Sequence, residues 1–271
     1  MEIRRILLNI DFDAFSPALV RCAEELARRF GADLVGIAAA EPYPVMTGGR
    51  GAGVAATLYA DERAAIEAQL RALEVNFRKS LSPDTKTEWR CSVETPNRSL
   101  VSAARSADLI MAGSAAAGGF RRRVDLGELI IAAGRPVLVA AAGAETIKGE
   151  TIVVGWKDTR EARRAVSDAL PMLRLAKKVV AVAIEDGDTS MQKESLAGLL
   201  AWLGRHEIEA IGDLHAAQGD AAQQLEDLSR GFGADLVVTG GYGRSRLQEW
   251  LFGGMTRGLL THHTTNRFMS N

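Results

Sequence analysis

The sequence "ADLIMAG" at residues 107–113 returns as "ADLVVTG" at 234–240, and this repetition constrains the fold more than any other feature. Each copy is a short apolar run closed by glycine, the pattern of a buried strand that turns sharply at its end. The flanks repeat too. "RILLNIDF" (5–12) is matched by "TIVVGWKD" (151–158), and "SPALVRCAEELARRFG" (16–31) by "TREARRAVSDALPML" (159–173). A repeat of this length implies two homologous domains, not a solenoid. The expected division is 1–142 and 150–271, with the boundary in "AAGAETIKGE" (141–150), which is small and polar.

Within each half, β-branched runs alternate with amphipathic stretches. The first helix has Ser16 placed to cap it, Pro17 as its first residue and Gly31 as its stop. A strand at 32–40, a helix at 58–79, a strand near 85–93 and a short helix at 96–106 lead to the first copy of the motif. A helix near 124–133 and a strand at 136–140 complete the half. After the restart at 151, strands are expected at 178–184 and 207–215, with helices at 190–204 and 219–231. The segment "EPYPVMTGGRGAG" (41–53) has no counterpart in the second half and reads as a linker or lid. Repeated βα units with right-handed crossovers give an α/β fold of two doubly wound parallel five-stranded sheets. Ligands of such sheets bind beyond the carboxyl ends of the strands, where strand order reverses.

Composition removes several functions. Apolar residues make up 47%, too many for disorder, and 33 Lys and Arg nearly balance 34 Asp and Glu. Neither nucleic acid nor an anionic membrane is therefore an expected partner. The N-terminal apolar run is broken by Asn9 and Asp11, unlike a signal peptide, and no stretch reaches the ~20 apolar residues of a membrane helix. Cys22 and Cys91 lack disulfide or metal spacing, so a reducing cytoplasm and two buried thiols are expected.

In the second half the glycines run Gly240-x2-Gly243-x9-Gly253-Gly254. Gly240 and Gly243 close a strand, and Gly253-Gly254 open the helix-like "MTRGLLTHH", which begins with Met255 and Thr256. Glycine lets backbone approach an oxyanion, and a helix start presents free N–H groups and a positive dipole end. The same glycines also suit a tight corner and a helix start with no ligand. Neither a Walker sequence nor Gly-x-Gly-x-x-Gly is present. Arg244 and Arg246 stand either toward phosphate or on a solvated loop face.

These residues resemble the universal stress protein family in its tandem form. Its ATP-binding members carry Gly-x2-Gly-x9-Gly-Ser/Thr after the fourth strand, as "GADLVVTGGYGRSRLQEWLFGGMTRGLL" does nearly throughout. The resemblance is strong over Thr151–His262 and looser in the first half. It implies flavodoxin-like sheets of order 3-2-1-4-5, paired as an intramolecular pseudo-dimer, with a homodimer also open. It further implies an adenine nucleotide, ATP or AMP, with Mg accompanying ATP, held in the second domain by Gly240, Gly243, Arg244, Gly253, Gly254, Met255, Thr256, Lys157 and Thr159. The departures are specific. Gly254 stands where the family has Ser/Thr, and Lys157 where it has the aspartate that ends the first strand. The first half keeps that acid as Asp11 but breaks the glycine pattern, with Gly113 followed by Ala116 and then Gly118-Gly119. The last strand, Pro136–Val139 in the first half, becomes "TTNRFMSN" in the second; Asn266 and Arg267 replace Pro136 and Val137, which predicts a weakened pairing edge.

Other polar groups read plainly. Arg121-Arg122-Arg123 is a solvated basic patch, His262 and His263 point apart, and His206 and His215 lack ligand-spaced partners. Trp156, Trp202 and Trp250 are expected in core or interface. No nucleophile–base set and no metal site emerges. The expected function is a stress-response nucleotide switch, non-catalytic or weakly ATP-hydrolysing, acting on an unidentified protein partner. A nucleotide-independent scaffold is the alternative, and an adenylating enzyme is disfavoured.

Overall fold

The computed structural model describes residues 2–43, 52–114, 122–185, 189–241 and 264–271. The first half runs β1 (Arg5–Asn9), α1 (Pro17–Phe30), β2 (Asp33–Ala39), α2 (Ala52–Lys79), β3 (Thr87–Ser92), α3 (Pro96–Ala103), β4 (Leu109–Gly113), α4 (Leu126–Ala132) and β5 (Val137–Ala140). The second runs β6 (Thr151–Trp156), α5 (Arg160–Leu173), β7 (Lys178–Glu185), α6 (Thr189–Arg205), β8 (Ala210–Ala216), α7 (Ala221–Gly231), β9 (Leu236–Gly240) and β10 (Asn266–Ser270).

The capping chemistry sets these boundaries. Ser16 accepts a hydrogen bond from the Leu19 amide, and Gly31 closes α1 at φ +63°, where its amide reaches the carbonyls of Ala27 and Arg28. Thr159, Asp125 and Asp220 cap α5, α4 and α7 in the same way. Helix α2 starts at Ala52, earlier than the expected 58, so part of the glycine-rich segment is helical. Residues 44–51 lie outside the described set.

The strand order is β3-β2-β1-β4-β5-β10-β9-β6-β7-β8. Each half therefore has the order 3-2-1-4-5. All pairings within a half are parallel. The two halves meet where β10 runs antiparallel to β5, with Phe268 opposite Leu138. The expected weakening of the last strand is corrected: β10 is buried along its length and sits at the centre of one continuous sheet. Arg267 is accommodated there because Glu226 of α7 meets its guanidinium.

Helices α1, α2, α5 and α6 lie over one face, in a core that includes residues of both halves, among them Leu8, Phe77, Leu138, Val154, Leu199 and Phe268. On the other face, α3 and α4 pack over the first half and α7 over the second. Among the described residues no helix is long and apolar enough to cross a membrane.

Cys22 is buried as expected, whereas Cys91 is exposed, because β3 is an edge strand of mixed exposure. Burial pushes the Cys22 thiol up to about 11, with Glu25 adding to the effect. An aromatic disulfide reagent at neutral pH should therefore titrate Cys91 rapidly in the native protein and Cys22 only on unfolding. Equal rates for the two thiols would contradict this placement.

Candidate functional site

The topology places one switch point in the second half. Strands β6 and β9 are parallel neighbours, with Gly155 opposite Thr239. The chain leaves β6 into α5 on one face, while α7 and its core cover the other. Lys157 and Gly240–Gly241 therefore leave the sheet side by side. Lys157 is exposed, and its carbonyl accepts the Thr159 amide at 2.6 Å. The Thr159 hydroxyl accepts the Ala162 amide at 3.2 Å, which fixes the start of α5.

Gly240 and Gly241 have packing reasons of their own. A Cβ on Gly240 would stand 2.6 Å from the Ala162 nitrogen and 2.7 Å from the Glu161 carbonyl carbon. The first turn of α5 thus crosses directly over this glycine, and the space a side chain would fill belongs to backbone. A Cβ on Gly241 would stand 2.7 Å from Cγ2 of Ile130, in the first half. The Gly241 amide donates to the Ser270 carbonyl at 2.7 Å, and its carbonyl accepts Nδ2 of Asn271 at 2.9 Å. This pair ties the exit of β9 to β10 and to the junction between halves. Gly240→Ala is expected to cost about 1–3 kcal/mol, since backbone must move. Urea unfolding checks it, and an unchanged midpoint would show that α5 is not seated there. Gly243, Arg244, Gly253, Gly254, Met255 and Thr256 lie outside the described residues, as do Trp250, His262 and His263.

In the first half, residues near the end of β1 make contacts with one another. Oδ1 of Asp11 accepts the amides of Asp13 and Ala14, both at 2.9 Å, in a local turn. Its Oδ2 lies 3.9 Å from Nε of Arg123. Arg122 donates to Oε1 of Glu62 at 2.7 Å, and the Tyr43 amide donates to Oε2 of the same carboxylate at 3.1 Å. The Arg122 guanidinium also lies over the rings of Tyr43 (4.9 Å) and Phe12 (5.4 Å). The solvated basic patch is thereby corrected for Arg122 and Arg123, which turn inward onto Glu62 and Asp11. Local sequence could not show this, because Glu62 is on a helix sixty residues earlier.

A third feature was missed in the sequence. A cleft of about 420 Å³ opens between α5 and α6, lined by Trp156, Asp158, Arg163, Val166, Ser195, Gly198, Leu199 and Trp202. Trp156 is buried as expected and donates its indole N–H to the Ser195 hydroxyl at 3.0 Å. His215 meets Asp213 at 2.8 Å, and among the described residues no group of His, Cys, Asp and Glu could hold a metal.

A family model described as "Universal stress protein family" matches residues 2–129. The first half of the chain therefore carries a domain of that family. The matched span is the half with the interrupted glycine pattern. The chain also superposes over its whole length on a universal stress protein from Archaeoglobus fulgidus DSM 4304, with TM-score 0.67, 12% identity and 97% of that chain covered. A functionally unknown protein from Pseudomonas aeruginosa PAO1 aligns over 99% of this chain and 92% of its own, with TM-score 0.57 and 16% identity. At these identities the superpositions establish the fold of a universal stress protein with both halves in one chain. No curated protein matches the sequence significantly.

Proposed function

We propose that this universal stress protein is an adenine-nucleotide-responsive switch. In this reading residues 150–271 form the ligand-binding domain and residues 1–142 a supporting domain that completes the pseudo-dimer. The observation carrying it is the run Gly243-x9-Gly253-Gly254, which begins where β9 leaves the sheet beside the exit of β6. Main-chain amides freed by those glycines, together with Lys157 at the end of β6, would supply an anion-binding set at the crevice of a doubly wound sheet. The fit is to phosphate more than to ribose. Lys157 adds positive charge where an acid would grip hydroxyls, and Gly254 offers no hydroxyl to the phosphate.

ATP or AMP is the proposed ligand, and Mg would accompany ATP on its own phosphates. Binding would alter the surface offered to a protein partner. No residue of the crevice is assigned a catalytic step.

A scaffold reading that needs no nucleotide draws on one specific observation. Gly240 and Gly241 are explained by the passage of α5 and by Ser270. Thermal unfolding with ATP, AMP and cyclic AMP separates the two. A ligand present at 100 times its Kd adds about 2.7 kcal/mol of stability. The switch predicts a rise in Tm with at least one of them, and a flat response to all three supports the scaffold.

A further inference from the structure

The cleft between α5 and α6 is not used by that function. It shares the β6–α5 turn with the glycine crevice, but its walls come from the two helices on one face of the sheet. Its lining divides by chemistry. Trp156, Val166, Leu199 and Trp202 supply flat apolar surface, and Ser195 supplies a hydroxyl. Having accepted the Trp156 indole N–H, Ser195 keeps its own hydrogen for another partner. At the rim stand one cation and one anion, Arg163 and Asp158, which pair with each other. Both side chains are more than half exposed, at 59% and 55%, so the pair is weakly held and opens at little cost.

Gly198 adds a second, independent observation. It lies in the middle of α6, where glycine weakens a helix. A Cβ at this position meets nothing within 4 Å, unlike Gly155 or Gly240, where a side chain would collide. Packing therefore does not require glycine at 198, and the residue it keeps small borders the cleft.

We propose that this cleft is a separate binding site for a small aromatic zwitterion of the amino-acid class. The ring lies against Trp156, Trp202 and Leu199, the carboxylate takes the Arg163 guanidinium, and the ammonium takes Asp158. Aromatic stacking and a planar guanidinium–carboxylate contact both suit these partners. Adjacent charges of both signs favour a zwitterion over a simple acid, whose carboxylate would have to face Asp158.

Calorimetric titration of the full chain with L-phenylalanine and L-tryptophan tests this, with indole and phenylacetate as comparators. Saturation binding is expected for the two amino acids, at least tenfold tighter than for either comparator. Gly198→Leu puts a bulky side chain at the cleft lining, its Cβ meeting nothing within 4 Å, and should weaken binding at least tenfold in a chain that keeps its circular dichroism. Arg163→Ala should weaken it about as much, and both variants should keep the wild-type thermal response to AMP. The proposal is overturned if neither amino acid binds at millimolar concentration. Comparators binding as tightly as the amino acids, an affinity indifferent to Gly198→Leu, or displacement of the amino acid by AMP would each overturn it too.

Discussion

Glu226→Ala is expected to destabilise the protein by about 3–5 kcal/mol, the cost of leaving a buried charge without its partner. The charge is Arg267, 1% exposed on β10, and Glu226 on α7 is 4% exposed. Glu226 accepts the Arg267 Nη2 donor, the Thr264 amide at 3.1 Å, the Thr264 hydroxyl at 2.7 Å and the Thr265 hydroxyl at 3.3 Å. Truncation removes all of these at once, and Nε and Nη1 of Arg267 have no partner among the described residues to take over. Urea unfolding reads the loss as a lower midpoint; a loss below about 1 kcal/mol would mean the pair is solvated, not buried. The double variant Glu226→Leu/Arg267→Met should recover most of the stability, because burying two apolar groups avoids desolvating two charges.

The same carboxylate gives a pH signature. Burial pushes Glu226 up, but the Thr264 hydroxyl, the Arg267 charge, the Thr264 amide and Thr265 together outweigh it and hold the group below the ordinary glutamate value of 4.5. A carboxylate with a lowered folded pKa stabilises above its unfolded pKa, and the contribution is lost as pH falls through the folded value. Stability from this group is therefore full at neutral pH and falls below about pH 4.5. Glu226→Gln should flatten that part of the acid-unfolding curve.

Phe268→Ala should cost about 3–5 kcal/mol, the range for emptying a fully buried aromatic site. Phe268 has no exposed surface, faces Leu138 across the antiparallel junction and Val238 across β9, and belongs to the core that includes both halves. A shared core couples the halves, so the wild-type chain should unfold in one transition, with tryptophan fluorescence and far-ultraviolet circular dichroism coinciding. Two separated transitions in the wild type would mean that β5 and β10 are not joined as described.

The strand order was legible because the information is local and repeated. β-branched runs, Ser16 and Thr159 as caps, and the "ADL" strands each announce an element within a few residues. What the sequence concealed were partnerships between distant positions. Arg267 reads as a flaw in a strand until Glu226, 41 residues earlier, neutralises it. Arg122 reads as a surface charge until Glu62 and Tyr43 close around it. Gly240 reads as a phosphate corner, and the first turn of α5 gives it a second reason to be small. Periodicity records which residues face inward, and not what meets them there.

The nucleotide reading rests on the amides from Gly243 to Gly254, and calorimetric titration of AMP and ATP into the wild type and Gly253→Val tests it most directly. A β-branched side chain at 253 disfavours the close approach of backbone to phosphate that the reading requires. The account predicts saturable binding to the wild type that falls at least tenfold in the variant. Binding of equal strength in the two proteins, or none in the wild type, would contradict it.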